Sequence, residues 1–88
     1  MDKYIIININ MFAKNSQVFI VAPNEDTMQV GAYPIESLPS IVTELAYSSD
    51  IYTVKIAGAE KFAQLIEYGI ETNETTKYNE RKIKIEVI

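Results

Sequence analysis

Tyr4-Ile5-Ile6-Ile7-Asn8-Ile9-Asn10 is the stretch on which the fold turns. Ile5, Ile7 and Ile9 fall on one edge, while Tyr4, Ile6, Asn8 and Asn10 fall on the other. Side chains of a strand point to opposite faces with period two, so this pattern describes a strand covered on one face only. The pattern recurs along the chain. Val18, Ile20 and Ala22 alternate with Gln17, Phe19 and Val21, and Met28, Val30 and Ala32 with Thr27, Gln29, Gly31 and Tyr33. Tyr52, Val54 and Ile56 alternate with Ile51, Thr53 and Lys55, and Ile83, Ile85 and Val87 with Lys82, Lys84 and Glu86.

After Tyr33-Pro34 the period becomes helical. Leu38, Ile41, Val42 and Leu45 share a face, Ser37 is placed to cap, and Pro39 is tolerated in the first turn. Ser48-Ser49-Asp50 ends this helix before a strand at 51–57. A second helix starts at Gly58 with the stripe Ala59, Phe62, Ala63, Ile66 and Ile70. From Glu71 to Glu80 the chain is polar except for Tyr78, which reads as a frayed helix end and a loop pinned by that ring.

Two turns set the strand pairing. Taking Lys14-Asn15 as a two-residue loop places Asn8 opposite Val21 and Asn10 opposite Phe19. Pro23-Asn24-Glu25-Asp26 marks the next turn. Keeping Ile20 and Ala22 on the face of Met28 and Val30 requires an odd connection of three or five residues there.

The order strand-strand-strand-helix-strand-helix-strand is read as one domain over residues 1–88. An antiparallel meander followed by right-handed crossovers gives a mixed five-stranded sheet of order 3-2-1-4-5. Both crossovers travel in one direction, so both helices cover one face of a two-layer α/β (α+β) sandwich. This topology resembles the ribonuclease H-like fold. The resemblance implies acidic residues around divalent metals, from mid-strand one, the first helix and the end of strand four. Here strand one offers Asn8 and Asn10, strand four ends Ile56-Ala57-Gly58, and Glu44 and Glu60 are the nearest acids. Without a central carboxylate, the two-metal chemistry of such nucleases is not expected.

Composition removes further classes. The 88 residues include no Cys and no His, which excludes thiolate metal sites, imidazole bases and Ser-His-Asp triads. No catalytic residue, metal or cofactor is assigned. A net charge of −4 lacks the electrostatic footprint of a nucleic-acid binder. No apolar run approaches a membrane span, and the start lacks a basic region followed by an apolar one. A cytoplasmic location is expected. The richness in Ile, Asn, Lys, Tyr and Glu suits an AT-rich bacterial or phage genome.

What remains is the uncovered sheet face. Its apolar candidates are Tyr4, Ile6, Phe19, Val21 and Ile51, a set whose burial is worth roughly 1.5–3 kcal/mol per side chain and which suits self-association or another protein partner. Asn8, Asn10, Lys55 and Glu60 are the ligand-face candidates, toward the strand ends where open α/β sheets bind ligands. Strand edges offer a second contact mode, which Lys82 and Lys84 discourage. Glu60, Gln64, Glu67, Glu71 and Glu74 would form an acidic stripe if the second helix continues past Ile70. Three expectations follow. The first is a non-catalytic interaction module, the second a degenerate ribonuclease H-like binder of nucleic acid or nucleotide, and the third an acidic inhibitor of a host nuclease.

Overall fold

Ile5 and Ile7 are wholly buried and Ile9 nearly so, because β1 (Tyr4–Asn10) lies mid-sheet under two helices. The computed structural model describes residues 2–10, 12 and 15–88. β2 (Asn15–Val21) pairs antiparallel with β1, and β3 (Met28–Pro34) pairs antiparallel with β2. β4 (Thr53–Ala57) runs parallel to β1, and β5 (Lys84–Val87) parallel to β4. The sheet order is β3-β2-β1-β4-β5, as the crossover argument requires. Leu38, Val42 and Ala46 of α1 (Leu38–Ser48) and Ala63, Ile66 and Ile70 of α2 (Glu60–Asn73) join the sheet residues Ile5, Ile7, Val18, Val54 and Ile56 in one core. Both helices therefore cover the same face. They approach closely: a Cβ on Gly69 would lie 2.6 Å from the Pro39 ring.

The β1–β2 register differs from the expected one by four positions. Asn8 faces Gln17 and Asn10 faces Asn15, so Asn15 is a strand residue and not part of the turn. Ala13 and Lys14, the other half of the expected turn, lie outside the described residues. An even shift leaves every side chain on its face. It also sets Tyr4 opposite Val21 and Ile6 opposite Phe19, apolar beside apolar, which is how cross-strand pairs stabilise a sheet.

On β3 the pairing changes from Phe19 opposite Gln29 to Val18 opposite Gly31, leaving Val30 as an extra residue in a β-bulge. One inserted residue reverses parity. Ala32 therefore lies opposite Gln17 on the open face, and Tyr33 lies opposite Ser16 and packs against the core. Both assignments reverse the simple alternation. Before the bulge Ile20 faces Met28, with the parity anticipated, although six residues (22–27) separate the strands and not three or five. Within them the Glu25 N–H donates to the Ala22 carbonyl at 3.2 Å around Asn24, whose φ is 67°.

Ile51 is 2% exposed and belongs to the core, not to the open face. The cause is the end of α1. Asp50 takes the left-handed conformation (φ 57°), and the Ile51 N–H donates to the Ala46 carbonyl at 2.8 Å. This six-to-one bond is the Schellman motif, whose last residue packs back on the helix it closes. Tyr52 then points to solvent and the strand starts at Thr53. Ser37 precedes α1 as expected but makes no side-chain cap bond.

The helix α2 begins at Glu60, two residues after Gly58, and does not fray at Ile70. It runs to Asn73 and passes into a π-helical turn, Glu74–Tyr78, closed by Asn79 at φ 57°. Glu74 is wholly buried, and its Oε1 accepts hydrogen bonds from Tyr47 Oη (2.7 Å) and the N–H groups of Lys82 and Ile83 (3.1 Å each). Tyr78 stacks on Tyr47 with centroids 3.8 Å apart and donates to Glu44, which also pairs with Lys77 at 2.7 Å. These contacts fasten 74–83 to α1. No described helix is long and apolar enough to cross a membrane.

Glu74→Ala removes the acceptor of the part-buried Lys82 and Ile83 N–H groups and leaves the Tyr47 hydroxyl only the Glu80 carbonyl at 3.4 Å, so urea unfolding should show a loss of about 2 kcal/mol or more. Glu74→Gln, which keeps an acceptor, should lose less than half of that. Burial above all, then the bond to Glu74, pushes the Tyr47 phenol above its ordinary value. The unfolded chain therefore gives up this proton first, and the associated stability is full below pH ~10 and lost as pH rises above it. Tyr47→Phe should flatten that alkaline decline in a pH series of unfolding curves.

Candidate functional site

Three rows of side chains cross the open face, set by the registers. Gln29, Phe19, Ile6, Lys55 and Glu86 form one row, Ala32, Gln17, Asn8 and Ala57 the next, and Pro34, Asn15 and Asn10 the last. Tyr4 and Val21 pair beyond the first row. The face thus has an apolar end at the start of β1 and an amide end at its close. Tyr4, Ile6, Phe19 and Val21 are each half-buried with no helix above them, because they shield one another.

Lys55 was expected at the amide end. It stands beside Ile6 in the apolar row, and its Nζ lies 4.2 Å from the centroid of the Tyr4 ring. A cation over a ring face is attracted by the ring quadrupole, and the lysine stem covers apolar surface. Lys55 therefore extends the apolar end.

At the amide end Asn8, Asn10, Asn15, Gln17 and Ala32 line a depression of about 140 Å³. Asn10 Oδ1 accepts the Phe12 N–H at 3.1 Å, and Asn15 Oδ1 is buried without a hydrogen-bond partner. A broader hollow of about 510 Å³ adjoins it, lined by Asn8, Ile9, Asn10, Phe12, Gly58 and Ala59. Phe12 is fully exposed there. Gly58 has φ 124°, and a Cβ on it would meet Ile9 at 2.8 Å, so this glycine serves the packing of β4's end on β1. Glu60 opens α2 in solvent and lines neither hollow.

Asn15, Gln17 and Ala32 are site residues that the sequence reading did not gather. Pairing amides with amides across the first hairpin would have found Asn15 and Gln17. Ala32 depends on the bulge at Val30, which alternation does not announce.

The acidic stripe loses its last member. Glu60 and Gln64 are exposed, Glu67 and Glu71 are half-buried, and Glu74 lies in the interior. Glu71 also faces Arg81 at 3.7 Å. The helix continues as the stripe required, but its turn rotates the last carboxylate inward. Glu44, one of the two acids nearest to the ribonuclease H-like pattern, is held below the usual carboxylate range by its hydrogen bond to Lys77. Among the described residues no three acids gather where they could hold a metal ion.

Of the twelve acidic residues only Glu86 lies in a strand. The strands bring Lys55, Lys84 and Glu86 to the open face, which is nearly neutral on a protein of net charge −4.

The two isoleucines assigned to one face from sequence should separate on truncation. Ile51→Ala should cost about 2–5 kcal/mol in chemical denaturation, as a core cavity does, and half-buried Ile6→Ala clearly less. Comparison with protein-family models, with curated proteins and with solved structures finds no match to this chain.

Proposed function

We propose that the protein is a non-catalytic interaction module whose open sheet face docks on the same face of a second copy. The observation that carries this reading is the character of that face: an apolar cluster, an amide end and nearly balanced charge, with Glu86 the one acid its strands carry and the other eleven outside the strands. A two-fold interface sets a surface against itself, so the surface must be self-complementary. Asn and Gln amides satisfy this because each is both donor and acceptor. An apolar cluster satisfies it as well, and an acidic face would not.

Sedimentation equilibrium tests the proposal. The wild type should be a dimer, and Ile6→Lys, which sets a charge in the apolar cluster, should be a monomer with an unchanged circular dichroism spectrum. Phe19→Lys, on the neighbouring strand, provides the same test if Ile6→Lys does not fold. Monomers for wild type and variants alike would sink the proposal.

A second reading draws on the amide depression at the carboxyl end of β1, where open α/β sheets bind ligands, and on the sheet's compatibility with ribonuclease H-like topology. In it the protein is a degenerate binder of nucleic acid or nucleotide through Asn8 and Asn10. It requires salt-sensitive binding of an oligonucleotide, and absence of binding at low salt removes it.

A further inference from the structure

At the opposite end of the molecule, where α1 closes, Tyr47 and Tyr52 flank a single cation. Lys82 Nζ lies 5.8 Å from the Tyr47 ring centroid and 6.0 Å from that of Tyr52. A cleft of about 60 Å³ is lined here by Tyr47, Asp50, Tyr52 and Lys82, with Ala46 and Ile51 among its apolar walls. Each ring is oriented by a carboxylate: Tyr47 Oη donates to Glu74 at 2.7 Å and Tyr52 Oη to Asp50 at 2.9 Å. Tyr47 is further braced by its stack on Tyr78.

The surroundings favour positive charge. Asp50, buried Glu74 and Glu80 all reach this corner, while Arg81 faces Glu71. The carboxyl end of α1 adds the negative pole of a helix dipole. Burial raises the Tyr47 phenol above its ordinary value and the bond to Asp50 raises that of Tyr52, so both rings keep their protons.

Lys82 fills this position poorly. Among the described residues its one ion pair is with Glu80 at 3.1 Å, and the two side chains are 44% and 48% exposed, a kind of pair that contributes little. A bare ammonium in contact with a ring sits much closer, as Lys55 does over Tyr4 at 4.2 Å. The wider spacing at Tyr47 and Tyr52 leaves room for a layer of carbon between nitrogen and ring. Methyl groups supply that layer and weaken the hydration that a primary ammonium must shed.

We propose that the Tyr47–Tyr52 cleft is a two-walled aromatic site for an alkylated ammonium group, with Lys82 as its resident competitor. A quaternary ammonium displaces the Lys82 head from between the rings, and Asp50 and Glu80 balance its charge. The site is separate from the open sheet face, so its occupancy does not depend on self-association.

Titration with tetramethylammonium chloride, followed by NMR of the tyrosine ring protons, tests this. The signals of Tyr47 and Tyr52 should shift saturably, and Lys82→Ala should tighten binding by roughly fivefold, the worth of one exposed cation–ring contact removed from competition. Tyr52→Leu should abolish the response. Asp50→Asn, which keeps a residue suited to the left-handed turn, should weaken it and serves if Tyr52→Leu does not fold. Potassium chloride at equal concentration should give no saturable shift. Free choline and a trimethyl-lysine peptide then separate the sources: binding of both assigns the head group alone, and binding of only the peptide adds its backbone. Absence of a saturable shift in Lys82→Ala, an equal response to potassium, or full binding by Tyr52→Leu would overturn the proposal.

Discussion

The burial of Ile5, Ile7 and Ile9 beneath two helices, on a strand paired along both sides, constrains every other element. With β1 held antiparallel to β2 and parallel to β4, α1 and α2 have one face on which to lie. The other face is uncovered by construction. A chain segment of 88 residues buries only about three-fifths of the surface its unfolded form exposes, and these elements supply two layers and not three. The half-buried cluster of Tyr4, Ile6, Phe19 and Val21 is the consequence, with Lys55 laid across its end.

Sheet order and helix placement were legible because they follow from period and handedness, which run through the whole chain. The errors of face on β3 and at Ile51 occur where a single residue departs from its period. Val30 bulges and sends Ala32 to the open face and Tyr33 to the core. Asp50 adopts a left-handed conformation and turns Ile51 inward. Alternation counts residues and cannot see either event. Asp50 followed by an isoleucine is a usable signal for helix closure, whereas Val30, β-branched and well suited to a strand, gives none.

The candidate site was legible in kind but not in arrangement. Asn8 and Asn10 lie at the amide end as read, yet their partners Asn15 and Gln17 follow from a register that an assumed two-residue loop displaced. Glu74 shows a different limit. A glutamate in a polar segment is ordinarily a surface residue, and only the packing of 74–83 against α1 reveals it as an interior acceptor. The donors to its Oε1 come from two separate parts of the chain, and no local pattern records that meeting.

The bulge at Val30 has a bearing on how copies of this chain would combine. β3 is one margin of the sheet, and a strand with an extra residue, closed by Pro34, offers a poor template for a further strand. β5, at the other margin, has four residues and carries the exposed Lys84. With both margins blunted, sheets cannot readily be joined end to end into a growing ribbon. A face that binds its own likeness is used up when the pair forms. On the proposed face-to-face docking, assembly of this molecule would therefore stop at a finite, closed particle, and its concentration would govern how many particles exist and not how long they become.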